Sequence, residues 1–295
     1  MAKQSDSSGA PGGALRRTVP YILQAKEAGE KLVALTAYDF WLASLLDRTG
    51  AVDIILVGDS AATVVQGFKN TLPITLEEMI YHSRCVSRGV QSALVVADLP
   101  FLSYQVSPEQ AILSAGKLLK EGGAQAVKLE GGRSVQESIA RLVAVDIPVL
   151  GHVGLTPQSY HRMGGHKIQG KRVAVASQSS ADDILQDALA VQEAGAFGVV
   201  LEGVPAELAS EITSILSIPT IGIGAGAACD GQILVTHDLL GLLPDFQPKF
   251  VKRYRALGEE ISDAIKEYAE DVRSSAFPTE AHSVSDKPPV RLMKR

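Results

Sequence analysis

The chain has 295 residues, 46% of them hydrophobic, a formal net charge of −5 and two cysteines, Cys85 and Cys229. That length and apolar content can bury a full core and exclude wholesale disorder, and the acidic balance excludes a basic, phosphate-tracking nucleic-acid binder. No apolar run reaches the roughly 18 residues that span a bilayer, and the cysteines form no CxxC pair, so the expectation is a cytoplasmic small-molecule enzyme with neither membrane nor nucleic-acid partner.

The opening stretch, "MAKQSDSSGAPGGALRR", has the Ser, Gly and Pro content of a flexible tail and lacks the apolar core of a secretory signal. The end of the chain, from about Pro278, reads the same way. The organisation expected is therefore a flexible tail over 1–20, a catalytic domain over 21–277 and a second tail over 278–295. Eight short β-branched runs follow one another in the middle part: Leu32 to Leu35, Asp53 to Val57, Leu94 to Ala97, Ala126 to Leu129, Val149 to Gly151, Gly198 to Leu201, Thr220 to Ile223 and Ile233 to Val235. Helical patterns separate most of them. Thr75 with Glu78 opens one helix as a capping box, Ser107, Pro108 and Gln110 open a second that stops at Gly122 and Gly123, and Ser134 with Glu137 opens a third. Strands alternating with helices predict a parallel sheet covered on both faces. Without its tails the chain has about the ~250 residues of an α/β (β/α)₈ TIM barrel.

An internal echo supports the barrel. "EGGAQAVKLEGG" (Glu121 to Gly132) and "EAGAFGVVLEGV" (Glu193 to Val204) agree at seven of twelve positions, each a helix end followed by a strand. A doubly wound open sheet produces the same alternation, and "IGIGAG" (Ile221 to Gly226) resembles its dinucleotide fingerprint. That motif should open a helix, however, and here "AACDGQILV" leads straight to another strand; crowding of backbones at a barrel mouth is the plainer account.

Several strands end in an acid: "ILVGDS" in Asp59, "VVADLPF" in Asp98, "VKLEGG" in Glu130 and, by the echo, "VVLEGV" in Glu202. A single such residue caps a helix or starts a turn. Four on one barrel mouth are harder to dismiss, because active sites of this fold are built at the C-terminal ends of the strands. Two carboxylates about 4 Å apart repel by roughly 4 kcal/mol at an effective dielectric near 20. Protons or a cation must relieve them. An all-oxygen donor set without thiolates favours a hard ion, most simply Mg²⁺. His161 and His166, five apart in a Gly-rich stretch, share no face and read as loop residues. Lys128 lies two residues before Glu130 and so shares its face, one layer deeper. It is either one half of a buried ion pair or the cation that holds an anionic substrate such as a 2-oxo acid beside the metal.

These residues resemble the ketopantoate hydroxymethyltransferase family. The resemblance runs from about Thr36 to His282 and rests on "TAYD", "VGDS", "TLPIT", "ADLPF", "VKLEGG", "GHVGLTPQS", "LEGVP", "IGIGAG" and "DGQILV" in that order. It implies a TIM barrel of the phosphoenolpyruvate/pyruvate type, Mg²⁺ held by Asp59, Asp98 and Glu130, the oxo acid bound by Asp59, Ser60, Asp98 and Lys128, and Glu202 as proton acceptor. It also implies 5,10-methylenetetrahydrofolate as co-substrate, 3-methyl-2-oxobutanoate as acceptor, 2-dehydropantoate as product of a metal-stabilised enolate, and a homodecamer. The chemistry is coherent, since a metal on a keto oxygen stabilises the charge that develops when the adjacent carbon loses its proton.

Leu155 to Ser180 is too long for an ordinary barrel connection and carries Arg162, Lys167, Lys171 and Arg172 without an acid between Tyr160 and Arg172. The expectation is a loop that closes over the site and attracts the anionic tail of folate; the alternative is a solvated loop. The family pattern differs at Tyr160, His161 and Arg162. His152, ending the fifth strand, either touches substrate or is structural. Two rivals remain: a lyase or mutase of the phosphoenolpyruvate and isocitrate lyase type, for which a reactive loop cysteine is missing, and a catalytically dead scaffold, which has no reason to keep like charges together.

Overall fold

The computed structural model describes residues 16–165, 167–171, 179–243 and 248–284. All eight expected strands form: β1 Leu32–Thr36, β2 Ile54–Val57, β3 Leu94–Asp98, β4 Ala126–Glu130, β5 Val149–Gly154, β6 Gly198–Glu202, β7 Thr220–Ile223 and β8 Gly231–Leu234. Each is parallel to the next, and β8 pairs back onto β1, closing the barrel. Such strands are covered on both faces, which is why β2 to β5 are buried at every position and read as continuous apolar runs. The last strand begins two residues earlier than expected. Its pairing starts at Gly231, which lies opposite both Leu32 and Ile221. A Cβ there would stand 2.7 Å from the Leu32 carbonyl oxygen, so a close approach of strands falls on a glycine that β-propensity passes over.

Two apolar layers follow from the alternation of side chains. Ala34, Ile54, Leu56, Leu94, Val96, Ala126, Leu150, Val200, Ile221 and Ile233 fill the interior. Ile55, Val57, Val95, Ala97, Val127, Leu129, Val149, Val199 and Leu201 face outward to the helices. Each fully buried Val, Leu or Ile of these layers contributes about 1.5–3 kcal/mol.

The helices are α1 Val19–Ala28, α2 Phe40–Arg48, α3 Ala61–Val64, α4 Leu76–Gly89, α5 Pro108–Lys120, α6 Gln136–Val143, α7 Tyr160–Met163, α8 Ala181–Glu193, α9 Ala206–Ile215, α10 Thr236–Leu240 and α11 Leu257–Ser274. The Thr75 and Glu78 capping box forms in full at α4. At α5 the Ser107 hydroxyl accepts the Gln110 N–H, but the Gln110 side chain turns back to the Val106 N–H, so only half of the expected box is made. Ser134 caps nothing. It sits inside a 3₁₀ turn, Arg133–Val135, and α6 starts only at Gln136. No helix separates β7 from β8, so "IGIGAG" does not open one. Crowding is what it does show: Gly226 has φ +80° and a Cβ there would lie 2.6 Å from that of Ala206.

The chain divides into two compact units, Met1–Thr236 and His237–Arg295. In the first, α1 sits at the N-terminal end of the barrel. Ile22 and Ala25 join the interior cluster. Tyr21 bonds Asp53, and Lys26 pairs with Asp230 at 2.8 Å, both partners lying just before a strand. The expected tail over 1–20 therefore overlaps fixed chain: the Arg17 N–H donates to Ser92 at 2.7 Å and its guanidinium meets Asp53 at 3.3 Å. Residues 1–15 and 285–295 of the expected tails lie outside the described residues. The second unit carries α11, none of whose residues is buried. Among the described residues no helix is long and apolar enough to cross a membrane.

Candidate active site

The strand-end acids meet at the C-terminal mouth of the barrel. Register brings the first two charges together, because Asp98 and Lys128 are direct partners across β3 and β4. Lys128 Nζ lies 2.7 Å from Asp98 Oδ1, with both side chains almost wholly buried. The other Asp98 oxygen accepts the Asp59 N–H at 2.9 Å. Gly58 leaves room for this arrangement, since a Cβ there would stand 2.6 Å from Ser60 Oγ and displace that hydroxyl. The Ser60 hydroxyl in turn pairs with that of Tyr38 at 2.8 Å.

One register step further, Glu130 lies opposite His152 of β5. His152 Nδ1 is 3.2 Å from Lys128 Nζ and 3.6 Å from Glu130 Oε1. An ammonium can only donate, so Nδ1 accepts and the imidazole proton sits on Nε2. Nε2 lies 3.2 Å from Glu202 Oε2, an electrostatic contact rather than an aligned hydrogen bond. A chain of polar contacts thus runs from Asp98 through Lys128 and His152 to Glu202. All the expected site residues, Asp59, Ser60, Asp98, Lys128, Glu130 and Glu202, belong to this cluster or touch it.

Three carboxylates against one ammonium leave two negative charges when all are ionised. Burial raises the Asp98 pKa to about 7, with Lys128 opposing and Asp59 adding to the shift. Burial and the neighbouring Asp59 push Glu130 well above the usual carboxylate range. For Lys128 burial acts downward, but Asp98, Glu130 and Asp59 outweigh it and hold the ammonium charged. Burial, then Lys128, drive the His152 pKa well below the ordinary value, so the ring is neutral at pH 7.

Glu130 Oε1 is buried without a hydrogen-bond partner. That orphaned oxygen, the all-oxygen donor set and the uncompensated charge fit a hard divalent cation. The expected three-ligand arrangement is not preformed: among the described residues no group of three His, Cys, Asp or Glu side chains encloses an ion site. One oxygen of each carboxylate is already engaged by an N–H, and Mg²⁺ accordingly suits the cluster better than an all-protein cage, because it keeps several waters and takes few protein ligands.

Sequence reasoning missed Gln158 and Tyr104. Gln158 is buried in the 3₁₀ turn Pro157–Ser159 just after β5. It donates its N–H to Glu130 Oε2 and its amide to Asp59 Oδ2, both at 3.0 Å. Tyr104 donates to Gln158 Oε1 at 2.8 Å. The only signal was "TPQS" following the His152 strand.

The long segment after β5 is pinned at two points rather than lying loose over the mouth. Gln158 is one; Gln169, wholly buried, is the other, its N–H donating to the Gly203 carbonyl at 2.9 Å. Arg162, Lys167 and Lys171 are exposed, and Arg162 lines a cavity of about 620 Å³ together with Phe101, Tyr104, Glu130, Arg133 and Asp187. His161 lies exposed in the single turn of α7 rather than in a loop. His166 and Arg172 lie outside the described residues. Both Cys85 and Cys229 are free thiols.

Comparison with known proteins gives the family and the fold. Residues 16–280 match the family model described as ketopantoate hydroxymethyltransferase. A 3-methyl-2-oxobutanoate hydroxymethyltransferase of Syntrophotalea carbinolica is 57% identical over 92% of this chain and 99% of its own. That of Pelobacter propionicus is 54% identical over 90% and 96%. Among solved structures, phosphoenolpyruvate phosphomutase from Streptomyces platensis subsp. rosaceus aligns with a TM-score of 0.61 at 15% identity, covering 90% of this chain and 92% of that one. Phosphonopyruvate hydrolase, solved in complex with oxalate and Mg++, gives 0.58 at 12% identity, covering 91% and 92%. At such identities the likeness is one of fold.

Proposed function

The chain belongs to the ketopantoate hydroxymethyltransferase family, and we propose accordingly that it transfers a hydroxymethyl group from 5,10-methylenetetrahydrofolate to 3-methyl-2-oxobutanoate. The products are 2-dehydropantoate and tetrahydrofolate, in a step towards pantothenate and coenzyme A. The observation that carries the reading is the buried set of three carboxylates held around one ammonium, with a fourth carboxylate reached through His152.

In this reading Asp59, Asp98 and Glu130 hold Mg²⁺, which when bound supplies Lewis acidity to the keto oxygen, a contribution of several kcal/mol. Asp59, Ser60, Asp98 and Lys128 bind the oxo acid. An ammonium has three donors. Asp98 and His152 engage two of those on Lys128, leaving the third for the substrate carboxylate. Glu202 accepts the proton from C3, and general-base assistance of this kind contributes about 10²–10⁴-fold. Its neighbour His152, with Nε2 3.2 Å from the carboxylate, is neutral and so does not compete for the proton. The C3 carbanion, delocalised as the enolate, then forms a C–C bond to the methylene carbon as one of its two C–N bonds to folate breaks; water supplies the hydroxyl oxygen as the second C–N bond breaks, and the two folate nitrogens take up one proton from C3 and one from that water, giving tetrahydrofolate. Arg162, at the rim of the cavity, offers a cation to the folate's anionic tail.

A cytoplasmic location fits the two free thiols. The homodecameric assembly of the family fits α11, whose Ile261, Ile265, Tyr268 and Val272 form an exposed apolar stripe at helical spacing. The activity is tested by deuterium exchange at C3 of 3-methyl-2-oxobutanoate in the absence of folate. Exchange is expected with Mg²⁺ and not without it. Glu202→Gln should abolish it while oxo-acid binding, followed by calorimetry, persists. A wild-type protein that shows no Mg²⁺-dependent exchange overturns the proposal.

A further inference from the structure

We propose that Gln158 is a positioning residue for the cation site: it occupies one oxygen of Glu130 and one of Asp59 and thereby selects the oxygen that each presents to a bound ion. The inference rests on the reading that these carboxylates hold Mg²⁺.

The side chain of Gln158 has no hydrogen-bonding capacity left over. Its amide nitrogen donates to Asp59 Oδ2 and to the Leu99 carbonyl, each at 3.0 Å. Its oxygen accepts from the Tyr104 hydroxyl at 2.8 Å and from the Gln105 amide at 3.2 Å. An amide offers two donors and two lone pairs, so the group is saturated. Flipping it would turn its oxygen against two acceptors and its nitrogen against two donors, which fixes the orientation. Meanwhile the Gln158 backbone N–H is committed to Glu130 Oε2 at 3.0 Å.

The consequence falls on the carboxylates. Glu130 has one bonded oxygen and one buried orphan, Oε1, so the orphan is the one available to an ion. Tyr104 stiffens the arrangement further, because its hydroxyl, whose one proton goes to Gln158 Oε1, accepts the Glu130 N–H at 3.2 Å. The same segment is tied to the fourth acid, since the Leu155 N–H donates to the Glu202 carbonyl at 2.8 Å. One short stretch, Leu155 to Gln158, thus sets the spacing of groups at the C-terminal ends of β2, β4 and β6. Partners that orient first ligands in this manner typically govern metal affinity by 10–100-fold.

The test is calorimetric titration of the metal-free protein with Mg²⁺, without substrates, together with its thermal midpoint. Gln158→Met keeps the volume and the backbone N–H but removes the amide; its Mg²⁺ affinity is expected to fall at least about 10-fold. A lowered midpoint with a Mg²⁺ dissociation constant within about twofold of wild type would mean that Gln158 is only structural cement, and overturns the proposal. Should Gln158→Met not fold, Tyr104→Phe decides instead. It leaves Gln158 in place but frees one side of its oxygen, and is expected to weaken Mg²⁺ binding several-fold; an unchanged affinity overturns the proposal equally. A wild-type protein that binds no Mg²⁺ at all removes the reading on which the proposal rests, a result distinct from a failure confined to the variants.

Discussion

Lys128→Met removes the one cation from the centre of the carboxylate cluster while nearly preserving its bulk. Lys128 Nζ and Asp98 Oδ1 are 2.7 Å apart, where unit charges attract by about 6 kcal/mol at an effective dielectric near 20. Attraction to Glu130 and Asp59 adds to this, and relief by proton uptake subtracts from it. Loss of one partner of a buried pair typically costs about 3–5 kcal/mol, and that is the destabilisation expected for the metal-free variant. With an unfolding slope near 3 kcal/mol/M, the urea midpoint measured in a chelator should fall by about 1–1.7 M.

Mg²⁺ reverses part of the loss. A ligand at a hundred times its dissociation constant stabilises by about 2.7 kcal/mol. Because a dication relieves more repulsion where the ammonium is missing, the Mg²⁺-induced rise in midpoint should be larger for Lys128→Met than for wild type. A variant as stable as wild type in chelator would show that the acids are neutralised by protons, and the charge argument for a bound cation would fail with it.

Two further outcomes are open to measurement. Asp47 is buried and accepts the backbone N–H groups of Gln91, Ser92 and Ala93 at 2.8–3.2 Å. Asp47→Ala should cost about 3–5 kcal/mol, since bonds to a charged acceptor contribute about 1.5–3 kcal/mol each and water recovers some of the loss; a change in chemical denaturation below about 1 kcal/mol would contradict that account. The pKa of Asp183 at the start of α8 is held down to about 2, from the ordinary 3.8, by the Ser180 hydroxyl and then Arg133. A depressed acid stabilises above its unfolded pKa and loses that contribution as pH falls through the folded one. The thermal midpoints of wild type and Asp183→Asn should accordingly differ above pH 3.8 and converge as pH falls towards about 2.

The barrel was legible because most of its strands, β2 to β5 throughout, are buried on both faces and so read as largely apolar runs. The acids were legible for the converse reason: a charge at the tip of such a run has no packing role, and Asp98, Glu130 and Glu202 stand out against their neighbours. Register was not. Nothing local says that Asp98 faces Lys128 or that Glu130 faces His152, since that depends on how far each strand slides before its helix returns it. Ser134 misled for a related reason, because a capping signal presumes the helix starts beside it, and here a 3₁₀ turn intervenes.

Gln158 marks the deeper limit. A glutamine in a polar turn looks solvated, and its partners lie 28 residues away at Glu130 and 99 residues away at Asp59. Repulsion among the carboxylates makes such a residue necessary, because a cluster that must stay close without its cation needs N–H donors to hold the unused oxygens apart. The residues that bring charge to a barrel mouth therefore announce themselves in the strands, whereas those that space the charges come from the connections. If that division holds, substitutions at Gln158 and Tyr104 should alter ion affinity while leaving the interior packing of the barrel intact.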